Sequence, residues 1–216
     1  MNRLYFSFAL LILLNFCNNI KVGEVYKLPP PKRVGGGQLY EALNNRQSLR
    51  DFNNSIKLST EIISQALWSC YGVRENTKHN FRTTPSAKGW FPLLVFLFLE
   101  DGVYKYYPVG HSIIKIIDGD HRKLTGTQTS VVTKARVNFV FIADFKKKSL
   151  MDGDDAHKMR SIYLDSGHVT MALSLFASAN NMKGVVRAMV DTEPLLDFLG
   201  LNKEDFIFTI AYSLGY

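Results

Sequence analysis

The feature that most restricts the fold of this chain is an unbroken apolar run at residues 93–99, Leu-Leu-Val-Phe-Leu-Phe-Leu. Pro92 precedes the run and Glu100 follows it, so its length is that of a strand. A strand without polar alternation is typical of one that is buried on both faces of a sheet. Asp101-Gly102 then predicts a tight hairpin, with residues 103–107 returning as the partner strand.

Further strands and helices are predicted along the rest of the chain. Ser59 or Thr60 is a good N-cap for a helix that Gly72 follows, and Cys70 lies on the apolar stripe of that helix, so we expect it in the core. Strands and helices do not alternate regularly, which favours an α+β fold over a doubly wound one. The remaining predicted elements are strands at 137–143, 184–190 and 206–212, and helices at 38–46, 159–182 and 191–199.

The N-terminus has the pattern of an export signal. Arg3 is followed by an apolar run at 4–16 that ends at Asn18, and this run is shorter than the roughly 20 residues of a membrane-spanning helix. We therefore expect residues 1–17 to be a signal peptide, with export through the secretory pathway to a periplasmic, extracellular or luminal compartment and no stable membrane span in the mature chain. A buried N-terminal helix is the alternative. Proline and glycine triplets predict an extended, flexible linker at 18–37, followed by one domain at 38–216.

Composition excludes several classes of protein. The apolar share of 46% is enough for a sizeable core, and two cysteines are too few for a disulfide scaffold. A formal charge of +7 favours anionic partners without choosing among them. The lysine triplet at 146–148 lacks an aromatic platform, so nucleic acid is not an expected partner. The five histidines are scattered, so we expect no metal site, and neither a G-x-S-x-G elbow nor a G-x-G-x-x-G fingerprint is present.

Two loops carry groups suited to binding a ligand. Arg46, Ser48 and Arg50 lie within five residues at a predicted helix end, where guanidinium and hydroxyl groups could bind a phosphate. A solvated helix terminus is an equally good interpretation of that segment. The second loop, Thr-Pro-Ser-Ala-Lys-Gly-Trp-Phe-Pro at 84–92, leads into the buried strand, and its small residues would let a flat ligand approach the backbone closely.

Taken together, these segments resemble the nitroreductase family of FMN-dependent oxidoreductases. The resemblance is carried by five motifs in the family's order and covers residues 38–216. The hairpin motif is most similar to the branch that contains the SagB-type dehydrogenases. The motifs are R-x-S-x-R-x-F at 46–52, P-S-A-x-G at 85–89 with G-x-Y-x-Y at 102–106, D-x-G-H at 165–168, a strand ending in Asp at 185–191, and L-G-L with G-Y at 199–201 and 215–216.

The resemblance implies a mostly antiparallel central sheet flanked by helices, and a homodimer with FMN bound at the subunit interface. Carried over by position, Arg46, Ser48 and Arg50 would hold the phosphate and ribityl chain. The backbone N–H groups of Ala188 and Met189 would face the flavin ring. The loop residues that would contact the flavin from the other subunit are Pro85, Ser86 and Ala87.

The resemblance also implies the chemistry. Hydride transfer belongs to FMN, so no catalytic protein nucleophile is expected. The favoured hypothesis is transfer of hydride from NAD(P)H to a nitroaromatic, a quinone or a similar small molecule. A second hypothesis is a SagB-like dehydrogenase that oxidises azoline rings in peptides. A third is a degenerate flavin-binding protein without catalytic activity, which the export signal favours because NAD(P)H is scarce outside the cytosol.

Overall fold

A computed structural model describes residues 20–75, 80–147 and 154–216 of the chain. The predicted signal peptide at 1–17 lies outside the described residues. Short 3₁₀ turns occur at Ala87–Gly89 and Arg122–Thr125. The helices are α1 (Leu39–Asn45), α2 (Thr60–Tyr71), α3 (Thr129–Lys134), α4 (Asp155–Ala179) and α5 (Thr192–Phe198), and the strands are β1 (Val25–Lys27), β2 (Leu93–Leu99), β3 (Gly102–Tyr107), β4 (Ser112–Asp118), β5 (Val137–Asp144), β6 (Lys183–Arg187) and β7 (Phe206–Gly215).

The strands form one seven-stranded sheet in the order β1-β4-β3-β2-β5-β7-β6. Every pairing between neighbouring strands is antiparallel. Alternate residues of β2 enter two different core clusters: Val95 and Leu97 pack with α2 and α4, while Phe96 and Phe98 pack with α5. Since both faces of β2 are covered, its sequence has no polar alternation. The predicted α+β fold with a mostly antiparallel sheet is confirmed.

Local sequence signals explain most element boundaries. The hydroxyl of Ser59 accepts a hydrogen bond from the N–H of Ile62 at 3.3 Å, which caps α2 as predicted. Cys70 on that helix is fully buried, and burial raises the pKa of its thiol. The long helix begins at the N-cap Asp154 and ends before Asn181, which has a φ of 53°, so the predicted range of 159–182 is wrong at both ends.

The long helix presents both apolar and polar side chains to the core. Tyr163 and Met171 are 50% and 41% exposed, whereas the buried face carries small polar residues. The hydroxyls of Ser166 and Thr170 donate to carbonyl groups one turn back along the helix, so these two side chains are buried with their hydrogen bonds satisfied. The inward face therefore combines hydrogen-bonded polar groups with apolar side chains such as Leu173, which is fully buried.

The segment expected to be a flexible linker is extended, but part of it is fastened to the domain. Strand β1 adds to the edge of the sheet beside β4, and Leu28 is buried. The backbone N–H and carbonyl of Lys32 both bond to the side chain of Gln65, at 2.8 and 3.0 Å. Residues 25–32 of the predicted linker are therefore extended and are held to the domain by long-range pairing.

Candidate functional site

The loop that carries Arg46, Ser48 and Arg50 is fixed to the edge of the sheet. The N–H of Leu49 donates to the carbonyl of Gly184 in β6 at 3.1 Å. Lys183 on the same strand forms a salt bridge of 2.9 Å with Asp51. These contacts hold the loop against β6, the edge strand that leads to Ala188 and Met189. Two groups of predicted site residues, the phosphate-binding loop and the backbone pair, therefore lie beside the same strand.

The guanidiniums of Arg46 and Arg50 on this loop have no acidic partner among the described residues. Arg46 is half-buried, Arg50 is exposed, and neither guanidinium makes a hydrogen bond or a salt bridge with a described residue. Burial raises the pKa of the Tyr212 phenol to about 12, and the positive charge of Arg46 acts to lower it. Ser48 is exposed, and its hydroxyl is likewise unbonded within the described residues. An arriving anion would therefore find both guanidiniums available.

Ala188 and Met189 follow the end of β6 and are exposed. The carbonyl of Met189 accepts a hydrogen bond from the N–H of Thr127 at 3.1 Å, which fixes the turn. Neither N–H of the pair donates to another described residue. The strand predicted at 184–190 ends at Arg187, three residues early. The N–H groups of Ala188 and Met189 have no partner among the described residues and are available to a ligand.

The third group of predicted site residues, the loop of Pro85, Ser86 and Ala87, is held by α4. Asp165 accepts hydrogen bonds from the hydroxyl of Ser86 at 2.5 Å and from the N–H of Ala87 at 3.2 Å. The same hydroxyl accepts a bond from the N–H of Phe91 at 2.9 Å. Burial raises the pKa of Asp165, although both donors act in the opposite direction. The hydroxyl of Ser86 thus supports the loop, while Pro85 stays exposed at its surface.

The backbone of this loop is strained. Lys88 and Phe91 have φ values of 49° and 47°, in the left-handed region that side chains disfavour. The bonds to Asp165 and a bond from the amine of Lys147 to the carbonyl of Phe91 hold the conformation. Strain that surrounding contacts maintain is characteristic of ligand-binding loops. Within the described residues no hydrogen bond joins this loop to the other two groups of predicted site residues.

Sequence reasoning missed a buried cation beside the site. Arg187, the last residue of β6, is 6% exposed and has no acidic partner among the described residues. Its guanidinium donates to Ser213, Thr125 and Asn138, which are all neutral acceptors. Burial lowers its pKa to about 10. The sequence signal was a single charged residue, Arg187, in the apolar segment predicted as a strand at 184–190.

Comparison with known proteins places the chain in a family. The sequence profile described as "Nitroreductase family" matches residues 43–216. The chain belongs to the nitroreductase family. The Methanocaldococcus jannaschii protein called "Putative nitroreductase MJ1384" is 29% identical over 166 residues, which are 72% of this chain and 81% of the relative.

Solved structures show the same fold. The crystal structure of a "putative nitroreductase" from Ralstonia eutropha JMP134 has a TM-score of 0.80 at 27% identity and covers 88% of each chain. A chain of the E. coli microcin synthetase McbBCD complex, with truncated pro-MccB17 bound, has a TM-score of 0.67 at 18% identity over 99% of this chain and 84% of that one. A "putative nitroreductase" from Desulfovibrio desulfuricans in complex with FMN has a TM-score of 0.59 at 16% identity over 82% and 84% of the two chains.

Across the described parts of the chain, no helix combines the length and the apolar character that crossing a bilayer requires.

Proposed function

We propose that this chain is an FMN-dependent oxidoreductase that transfers hydride between NAD(P)H and a small acceptor such as a nitroaromatic or a quinone. The observation that carries the proposal is a pair of guanidiniums, Arg46 and Arg50, that no described residue bonds. Their loop is fastened to the strand that leads to two backbone N–H groups without a partner in the described part of the chain. The FMN bound to the Desulfovibrio desulfuricans neighbour supports the choice of cofactor.

The residues present fit FMN. A phosphate matches the guanidiniums of Arg46 and Arg50 and the hydroxyl of Ser48, which form no hydrogen bond with the described residues. The N–H groups of Ala188 and Met189 would donate to the polar edge of the ring and stabilise negative charge there. When bound, FMN would supply the hydride chemistry, so the chain needs no nucleophile of its own. The task of the protein is to bind, orient and exclude water.

The loop at Pro85, Ser86 and Ala87 would complete the site from the partner subunit. Asp165 orients that loop through Ser86 and Ala87, and the exposed Pro85 can present an apolar surface to a flat ring. The absence of a hydrogen bond between this loop and the other two groups, among the described residues, supports a second copy completing the site.

A homodimer is supported by apolar side chains that the single chain leaves exposed on two adjacent helices. On α1 these are Leu39, Tyr40 and Leu43, and on α4 they are Tyr163, Leu164 and Met171, with exposed fractions between 41% and 85%. Exposed apolar surface of this kind is typical of an interface. Sedimentation with and without FMN tests the shared site: binding and dimerisation should be linked. A stable monomer that binds one FMN would contradict it.

The phosphate site is tested by substituting both arginines. We expect Arg46→Ala with Arg50→Ala to weaken FMN binding by about 2–5 kcal/mol, or about 30- to 4,000-fold in Kd, because the phosphate loses its charged partners. Flavin content of the purified variant, measured by absorbance after denaturation, gives the result.

The matched control is Lys21→Ala with Lys27→Ala, which removes the same charge beside β1, at the opposite edge of the sheet. It should retain FMN. Equal flavin content in both double variants would refute the phosphate site.

A second candidate function is azoline oxidation in peptides by a SagB-like dehydrogenase. The likeness to a chain of the McbBCD complex, over 99% of this chain, favours it. Two assays of the flavin-loaded protein separate the candidates. Anaerobic bleaching by NADPH followed by reoxidation with a quinone supports the first, whereas aromatisation of a thiazoline-containing peptide supports the second. A yellow protein inactive in both assays would support a non-catalytic flavin-binding role.

A further inference from the structure

A cavity of about 200 Å³ lies beside the strained loop. Pro85 and Ser86 of that loop form part of its wall, and the remaining wall is both aromatic and cationic. Phe81 and Phe91 lie edge to face in it, with ring centroids 6.2 Å apart. The cavity is lined by Arg74, Phe81, Arg82, Pro85, Ser86 and Phe91, among others.

Arg82 is the residue that gives this cavity its character. Its guanidinium lies over the rings of Tyr71 and Phe91, at 5.3 and 5.0 Å from their centroids. One terminal nitrogen donates to the carbonyl of Asn80 at 2.6 Å, while Nε is buried without a hydrogen-bond partner. No carboxylate of the described residues forms a salt bridge with it. Burial lowers its pKa.

A second partly buried cation, Lys147, interacts with Arg82 electrostatically. Lys147 donates to the carbonyl of Phe91, and burial followed by the charge of Arg82 lowers the pKa of its amine. The negative charge of Asp144 acts to raise the pKa of Lys147, but Asp144 forms no salt bridge with Arg82. Two partly buried positive charges thus repel each other, and no carboxylate of the described residues forms a salt bridge with either of them. This arrangement is unfavourable for the chain alone and becomes favourable when an anion enters.

We propose that this cavity binds the carboxylate of an aromatic acceptor substrate. The guanidinium of Arg82 would bind the carboxylate, and the rings of Phe81 and Phe91 would contact the aromatic part. The inference rests on the proposed function, because Pro85 and Ser86 belong both to the cavity wall and to the loop assigned to the flavin. The volume admits one substituted ring.

The test compares benzoate with benzamide, which differ in charge but hardly in shape. Calorimetric titration into the purified protein as isolated should show that benzoate binds more tightly. Arg82→Gln should reduce this preference by about tenfold or more, because the guanidinium is the charged partner of the carboxylate. Arg82→Lys should retain part of the preference, since it keeps the charge without the planar fork.

Controls separate this proposal from folding and from the cofactor. Arg160→Gln removes an exposed cation on α4 and should keep the full preference. If Arg82→Gln fails to fold, the partial loss of preference expected for Arg82→Lys carries the test, because that variant keeps the positive charge of the position. The ratio of KM for 4-nitrobenzoate to that for 4-nitrobenzamide should change in the Arg82 variants in parallel with the calorimetry.

Three outcomes would overturn the inference. The first is equal binding of benzoate and benzamide to the unmodified protein. The second is an unchanged preference in folded Arg82→Gln. The third is loss of FMN from Arg82→Gln with riboflavin binding preserved, which would assign the cationic site to the cofactor phosphate. A protein that carries no FMN but shows an Arg82-dependent benzoate preference would refute the proposed function and leave the anion site standing.

Discussion

Asp165 connects the long helix to the loop before β2, and its replacement tests how that loop is held. The carboxylate is 4% exposed and accepts one hydrogen bond from Ser86 and one from Ala87. Asp165→Ala removes both acceptors and leaves the N–H of Ala87 without a partner. Asp165→Asn keeps the volume and one acceptor oxygen, and its amide group can donate to the hydroxyl of Ser86.

The magnitude follows from these contacts. A hydrogen bond to a charged group contributes about 1.5–3 kcal/mol, so two contribute about 3–6 kcal/mol. Burial raises the pKa of Asp165, which means that desolvation of the carboxylate offsets part of this gain. We therefore expect Asp165→Ala to lower the free energy of unfolding by about 2–4 kcal/mol, or about 4–16 °C in Tm for a chain of this size. Asp165→Asn should cost about 1 kcal/mol.

The assay is chemical denaturation together with flavin content. The control is Asp155→Asn on the same helix, where the side chain is 79% exposed and the loss should stay below about 1 kcal/mol. Because the folded pKa lies above the ordinary value of 3.8, the contribution of this carboxyl is largest below that value and declines as pH rises through the folded pKa. The difference between wild type and Asp165→Asn should therefore narrow from pH 4 to neutral pH. An Asp165→Ala variant as stable as the wild type, with full flavin content, would refute the reasoning.

Two further substitutions test other parts of the fold. His111 bonds to Ser64 and Tyr106 at 2.8 Å each, and burial lowers its pKa below 6.5, so its contribution is present above pH 6.5 and lost as pH falls through the folded pKa. Since φ is 45° at this position and Asn tolerates that conformation, His111→Asn can keep the backbone. Denaturation should show that the free energy of unfolding of the wild type falls between pH 7 and pH 5, and that this fall disappears in His111→Asn. An unchanged slope of stability against pH in the variant would contradict the reasoning. A Cβ on Gly184 would lie 2.1 Å from the hydroxyl of Tyr212, so Gly184→Ala should destabilise the chain by about 1–3 kcal/mol, measured by denaturation. Because two ring carbons of Tyr212 would also lie 2.6 and 2.8 Å from that Cβ, Gly184→Ala should cost less in a Tyr212→Leu background than in wild type, and an equal loss would point to a cause other than this side chain.

The amino-acid sequence determined the elements whose cause is local. The apolar run at 93–99 and the Asp101-Gly102 turn placed β2 and β3, and Ser59 placed the start of α2. These predictions are confirmed because periodicity, turn chemistry and capping act over a few residues. The family resemblance also followed from the sequence, since its motifs keep their order along the chain.

Other features were decided only by the tertiary structure. Strand β4, with its paired apolar residues, gave no clear alternation and was not predicted, and β1 exists because β4 offers it an edge. The role of Ser86 could not be foreseen, because its partner Asp165 lies 79 residues away. Arg187 likewise meets Asn138 and Ser213 only where three strands come together. Buried polar groups must find partners wherever the folded chain brings them, and sequence spacing carries no record of contacts between distant segments.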